Sequence, residues 1–497
     1  MRHRILLLLA LLATLSLAKA DDFENARLHI RSVMAAHQIP SVAVAVAHKG
    51  KIVWEEGFGW ADIAKRTRAT PRTPYYLASI SKPVTATALM ILTERDEIDL
   101  NEPMDAYLGE QKLTVRAGSA GDATVGRVAS HIAGLPLHAR FFYEDEPGSP
   151  PAMDETIRRY GTLVSPPGGA FVYSNLGYGL LEYAIERASG KSYSKFLRDE
   201  LFIPLRLDSA AVNLGADPTE PVASRYWFGN IPVPFYESDQ QGAGAVIMSA
   251  HDLLRFGMFH LYGHVDEQRT SVLRRETLAS MHAAATLNDG SSAGYGIGWF
   301  VGEQHGLRWF GHNGGMAGVA TVLSIYPEAE AVIVVLANGV SRTGAVHSLE
   351  ADIVHDLLPE TIRNDHGFKP PPELIGRWRG DIHTYAGRTP VLLDFKQTGS
   401  VFVRVGTGPL REAIKVQRDE KTSMLSLSDI IGNIGTPDAA RHPGNLQMSL
   451  KLRAPGTLSG TISSNSLETM ADRMGSAVSY WMELRREPAT PAADASQ

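Results

Sequence analysis

Between residues 22 and 37 the apolar side chains Phe23, Ala26, Ile30, Val33 and Met34 recur every three to four positions, which puts them on one face of a helix. The period then changes. Residues 41–47 form a β-rich apolar run, His48-Lys49-Gly50 supplies turn chemistry and residues 51–54 resume extended character, so a hairpin is expected. Helical spacing returns over 82–97, over 176–189 with Gly190 as a stop, and over 192–201 with a stop near Pro204. Two apolar runs, 319–326 and 331–337, flank Pro327-Glu328-Ala329-Glu330 and predict a second hairpin, followed by a helical stretch over 345–358.

Strands near both ends with helices between them predict an α/β domain over residues 21–361 whose sheet is built from distant segments. Asp365-His366-Gly367 and the run Pro370-Pro371-Pro372 are stiff and polar, which predicts a linker over 362–372. Beyond it, short extended segments at 376–380, 391–395, 401–405, 448–452 and 457–462 predict a smaller all-β domain over 373–487, a barrel or a sandwich. The small polar residues 488–497 read as a disordered tail.

Of the 497 residues, 44% are hydrophobic and 21% charged, enough apolar surface for a sizeable core. Lys plus Arg number 48 against 54 Asp plus Glu, and this acidic excess gives no electrostatic footprint for nucleic acid. The chain starts with a basic MRHR, an apolar run over 5–17 and an Ala18-Lys19-Ala20 exit, the pattern of a secretory signal peptide over 1–20 cleaved after Ala20. That run is shorter than the ~18 to 20 residues that span a bilayer. Losing Arg2, Arg4 and Lys19 leaves a more acidic surface, so the expectation is a secreted or periplasmic protein without stable membrane insertion. There is no cysteine, hence no disulfide and no thiolate chemistry. No H-E-x-x-H motif occurs either, and neither a metal nor a cofactor is expected.

Three short motifs carry candidate chemistry. In Ser79-Ile80-Ser81-Lys82 a hydroxyl and an amine three residues apart stack on one helical face, where a neutral amine can take the hydroxyl proton. Ser192-Tyr193-Ser194-Lys195 has the same spacing, but it opens an ordinary amphipathic helix and reads as an N-cap with a solvated lysine. Ser79 precedes Pro83, which fits a first helical turn; a capping role for this serine remains the alternative. Tyr173-Ser174-Asn175 follows Pro166-Pro167-Gly168-Gly169 on a loop; the tyrosine could hold a phenolate or relay a proton and the asparagine amide could grip a carbonyl. His312-Asn313-Gly314-Gly315 lies just before the second hairpin, where glycines permit close backbone approach; a structural histidine is the alternative.

In this order and at these separations, the three motifs resemble those of the serine β-lactamase and penicillin-binding-protein superfamily, most closely its class C-like branch of β-lactamases, esterases, D-amino peptidases and DD-peptidases. The resemblance extends over residues 25–358. His131-Ile132-Ala133-Gly134-Leu135-Pro136 is similar to the family's H-T-S-G-L-P stretch, Gly242-Ala243-Gly244 with Ser249 and Asp252-Leu253 to its G-x-G-x-x-x-S-x-x-D-L segment, and Tyr295-Gly296-Ile297-Gly298-Trp299 to its Y-G-x-G-W. The β-rich end resembles the lipocalin-like domains appended to some members. The resemblance implies an antiparallel sheet flanked by helices with an inserted helical region. It makes Ser79 the acylated nucleophile, Lys82 and Tyr173 its proton-transfer partners, and Asn175, His312 and Gly314 substrate-binding residues. The backbone N–H groups of Ser79 and Gly315 become the oxyanion hole.

His312 departs from the K-T-G lysine of penicillin-recognising members. A neutral imidazole forfeits a charge-assisted bond of about 1.5 to 3 kcal/mol to a substrate carboxylate. Near its ordinary pKa of ~6.5 it would favour carboxylate substrates increasingly as pH falls. The expected function is therefore an exported serine hydrolase acting through Ser79 on small esters, amides or peptides, of esterase or D-amino peptidase type. The alternatives are a β-lactamase or DD-peptidase, and, from another class, a ligand-binding or sensor protein that does not turn over.

Overall fold

The computed structural model describes residues 23–213, 215, 221–340, 344–358, 368–413, 415–418, 424–436, 444–466 and 477–487. The expected signal peptide, most of the expected linker and the expected tail lie outside the described residues. Two compact units are present, Gln38–Ile353 and a second formed from Met1–His37 with Val354–Gln497. This grouping differs from a boundary at residue 361. The Asp356 carboxylate accepts hydrogen bonds from the Asn25 side chain (2.9 Å) and from the Ala26 N–H (2.8 Å), which ties helix α1 (Glu24–His37) to the chain beyond 353.

The Gln38–Ile353 unit is built on a seven-stranded antiparallel sheet. Its strands are β1 (Ser41–His48), β2 (Lys51–Asp62), β3 (Thr67–Arg68), β4 (Phe300–Gln304), β5 (Leu307–Met316), β6 (Val319–Tyr326) and β7 (Ala331–Ala337), in the order β4-β5-β6-β7-β1-β2-β3. The apolar runs of β6 and β7 are buried at every position, as continuous apolar strands must be when both faces are covered. Strand β1 pairs with β7 from Val42↔Ala337 to His48↔Ala331, joining segments from opposite ends of the unit.

The chain between β3 and β4 supplies the helical region, including α2 (Ser81–Glu94), α3 (Asn175–Ser189) and α4 (Ala250–Tyr262). Helix α2 is buried from Ser81 to Leu92, so it is a core helix rather than a surface one. Helix α4 lies against the sheet with Gly257 beside Leu323, Ile325 and Val332, where a Cβ would collide with Val332. Strands β4 and β5 are absent from the pattern reading: Gly302, Gly311, Gly314 and Gly315 break the β-branched character that marks a strand.

In the second unit a nine-stranded antiparallel sheet has Arg411–Glu412 at one edge and Lys415–Arg418 at the other. Only residues 413–414 separate these two strands, a reach of about 10 Å at ~3.5 Å per residue. The sheet must therefore roll into a barrel. Its interior is filled by Trp378, Phe395, Leu427, Met448 and Met482, among others, and the Trp378 Nε1–H donates to the Leu374 carbonyl at 2.7 Å. The pattern reading does not reach Leu425–Gly432 and Ala477–Arg486, which also belong to this sheet.

Candidate active site

Ser79 sits in a 3-10 turn, Ala78–Ile80, that runs directly into α2; Pro83 is the third residue of that helix. The turn is fixed on both sides. Upstream, Pro74–Tyr76 pairs with Val246–Ser249, and the Leu77 N–H donates to the Val246 carbonyl at 2.9 Å. From the sheet, the Thr321 hydroxyl donates to the Leu77 carbonyl at 2.9 Å, and Gly314 packs so closely on Leu77 and Thr321 that no Cβ would fit. Ala78 has φ +49°, a left-handed conformation that costs a non-glycine residue on the order of 1 kcal/mol. Held this way, the half-buried Ser79 hydroxyl projects beside Lys82.

Lys82 is fully buried, and its Nζ has three oxygen neighbours: Ser79 Oγ at 3.2 Å, Asn175 Oδ1 at 2.8 Å and the Ala243 carbonyl at 3.0 Å. None is a carboxylate. Burial pushes the ammonium pKa well below its ordinary value, favouring the neutral amine. A neutral amine has two N–H bonds and one lone pair. With the two N–H groups donated to Asn175 Oδ1 and the Ala243 carbonyl, the lone pair is left for the Ser79 hydroxyl proton. The second S-x-x-K is differently placed: Ser192 caps a helix by accepting from the Lys195 N–H, and the Lys195 ammonium pairs with Asp199 at 2.7 Å.

The Tyr173 ring lies 4.7 Å from Lys82 Nζ, and its hydroxyl shares a hydrogen bond with the Ser79 side chain. Burial raises the phenol pKa, the hydrogen bond offsetting only part of that shift, which favours the protonated phenol over the phenolate that the sequence left open. The segment beginning at His131 positions this loop. The His131 carbonyl accepts from the Val172 N–H at 2.8 Å, its Nδ1 accepts from the Ser174 N–H at 3.1 Å, and its ring packs 4.3 Å from the Tyr173 ring. Ser174 then caps α3, whose first residue is Asn175.

Strand β5 brings the H-x-G motif to the other side. His312 is inside this strand, just before the hairpin of β6 and β7. Pairing of β4 to β5 ends at Phe300↔Gly311, so residues 312–316 form a strand edge on that side, with Gly315 exposed and open space above it. His312 itself is buried: Nδ1 bonds the Asn313 carbonyl at 2.7 Å and Nε2 bonds the Tyr295 hydroxyl at 3.1 Å. Desolvation, followed by the nearby Lys82, pushes its pKa down to about 3. The titration near 6.5 expected from the sequence is therefore displaced far below neutrality.

Two contributors escaped the sequence reading. The Ala243 carbonyl holds Lys82, although Gly242-Ala243-Gly244 stood out only as a similarity. Glu182 accepts from the Gly242 N–H at 2.8 Å and fixes that turn; burial, the largest influence, raises its pKa to about 8. Its signal is in the sequence: Glu182 shares the i, i+4, i+7 stripe of α3 with Tyr178 and Ile185.

Several known proteins are similar to this chain. The chain is 25% identical over 328 residues to unguisins hydrolase ungD' of Aspergillus campestris, covering 62% of this chain and 60% of that protein. Penicillin-binding protein 4 of Amycolatopsis lactamdurans is 27% identical over 360 residues, covering 68% and 90% of the two chains. The octameric penicillin-binding protein homologue from Pyrococcus abyssi superposes with a TM-score of 0.58 at 20% identity, over 92% of this chain and 99% of that one. The Beta-lactamase family model matches residues 26–355, the stretch that carries every one of these site residues, and the chain belongs to that family.

Proposed function

We propose that the protein is a serine hydrolase that forms an acyl-enzyme at Ser79 on small esters or amides. Neutral Lys82 takes the Ser79 proton as Oγ attacks the substrate carbonyl, and the backbone N–H groups of Ser79 and Gly315 stabilise the oxyanion. The proton then passes from Lys82, through the Tyr173 hydroxyl, to the leaving oxygen or nitrogen as its bond to carbon breaks. Water attacks the acyl group in the second half, its proton returning along the same groups to Ser79. Asn175 holds Lys82 through its carbonyl oxygen, which leaves its amide N–H groups for the substrate.

The observation that carries this reading is the environment of Lys82 Nζ, with no carboxylate and an arrangement that aims a lone pair at Ser79 Oγ. Preference for uncharged substrates is supported by His312, which is neutral, has both ring nitrogens engaged and supplies no cation at the strand edge. We place the site of action outside the cytoplasm, on the strength of the basic, apolar and small-residue pattern of residues 1–20.

The test is a turnover screen of the purified protein with p-nitrophenyl esters, D-amino acid amides, D-Ala-D-Ala peptides and a chromogenic cephalosporin. Esters or amides should give the highest kcat/KM. Highest activity on the cephalosporin or the D-Ala-D-Ala peptide would favour the β-lactamase or DD-peptidase reading. A stable adduct without turnover would favour a sensor.

A further inference from the structure

A cavity of about 640 Å3 opens in the Gln38–Ile353 unit, and neither Ser79, Lys82 nor Tyr173 lines it. Its walls include Tyr76, Tyr226, Val233, Phe235 and Arg225. Arg225 is only 7% exposed. Its guanidinium carbon is 4.2 Å from the centre of the Tyr76 ring and 3.8 Å from that of Tyr236, so aromatic faces cover it. Ring quadrupoles attract a cation but do not neutralise it.

Among the described residues no carboxylate reaches Arg225 at ion-pair distance, and the two acidic side chains on the cavity wall are engaged elsewhere. Asp62 accepts from the Ser224 hydroxyl at 3.0 Å and lies 3.7 Å from the Lys65 ammonium, while Glu144 accepts from the Phe235 N–H at 3.0 Å. The Tyr236 hydroxyl donates to the Ala317 carbonyl at 2.8 Å and shares one hydrogen bond with the guanidinium. A guanidinium has five N–H donors, so most of its capacity remains for an acceptor that enters the cavity. A buried cation without a counter-ion among the described residues is costly, and an anionic ligand would relieve that cost.

We propose that this cavity binds a small organic carboxylate, with its two oxygens bonded to Arg225 and its apolar body against Val233 and Phe235. A guanidinium suits a carboxylate because its parallel N–H groups match the two oxygens. The apolar walls select a carboxylate with an organic body over an inorganic anion. The inference does not depend on the role assigned to Ser79.

The test is calorimetric titration of the full chain carrying Ser79→Ala, with benzoate, its neutral isostere benzamide, and inorganic phosphate as probes. Benzoate should bind at least about ten-fold more tightly than either of the others. Adding Arg225→Gln should weaken benzoate by about the same factor while leaving benzamide unchanged. Adding Ala64→Trp, an exposed substitution at the cavity rim that keeps Arg225, should also weaken benzoate, so the test survives if the arginine variant does not fold. No benzoate binding, equal binding of benzamide or phosphate, or benzoate affinity unchanged by these substitutions would overturn the proposal.

Discussion

Buried Lys82 can be a cation only at the cost of losing water, a cost that lowers its pKa although three oxygens surround its Nζ. Lys82→Met and Tyr173→Phe should each lower kcat by at least ~10² with the fold intact, as removal of a general acid–base group does. A loss of only a few-fold would mean that these side chains pack beside the site. Glu182 gives a second test. Its pKa is raised from the ordinary 4.5 to about 8, so between those values the unfolded chain releases a proton that the folded one keeps. Stability relative to Glu182→Gln should therefore fall as pH rises from about 4.5 to about 8 and level off above. Parallel unfolding curves for the two proteins across that window would contradict it. His312 should leave no trace near pH 6.5. Because it stays neutral down to about pH 3, the ratio of kcat/KM for a carboxylate substrate to that for a neutral ester should stay flat over ordinary pH, a comparison in which the titration of Lys82 cancels. A ratio that climbs below pH 6.5 would show that the imidazole is accessible to solvent.

At the level of elements, the site depends on how closely strand β5 approaches the turn before α2. A Cβ on Gly314 would run into the Leu77 carbonyl and the Thr321 hydroxyl, both rigidly placed. Gly314→Ala should lower both the melting temperature and the rate of labelling by a fluorophosphonate, whereas Gly315→Ala, with open space around it, should leave the melting temperature nearly unchanged. Equal melting temperatures for wild type and Gly314→Ala would remove close packing as the reason for glycine there. The same contrast explains what the sequence could show. The runs of β1 and β7 are apolar almost throughout, that of β6 is broken only by Thr321 and Ser324, and all three could be read directly, as could α3, whose end is marked by Gly190 in a left-handed cap. Strand β5 could not, because its glycines serve the approach to Ser79 and dilute the strand pattern. The order of S-x-x-K, Y-x-N and H-x-G was legible, but the depressed pKa of His312 was not, since burial depends on Tyr295 and Phe300 arriving from another segment. The third partner of Lys82 was hidden for a simpler reason: it is a backbone carbonyl, which no residue type announces.

The whole chain joins two units with different construction rules, and they were unequally visible. In Gln38–Ile353 the core between sheet and helices explains why α2 is buried nearly all round, and why the candidate site groups at 79–82, 173–175, 243 and 312–315 meet only in the folded unit. In the barrel unit, alternation is weak: Thr457–Ser466 reads TLSGTISSNS, with few large apolar residues. Closure is instead set by the two short strands flanking residues 413–414, a feature of connectivity rather than of pattern. The central claim belongs to the first unit, and it concerns which atom becomes acylated. The most direct measurement is rapid quenching of the full chain during turnover of a p-nitrophenyl ester, followed by peptide mapping by mass spectrometry. One acyl group should be found on the peptide containing Ser79. It should be absent from Ser79→Ala and retained in Ser192→Ala, whose hydroxyl only caps a helix. Turnover with acylation on another residue, or undiminished turnover in Ser79→Ala, would contradict the account.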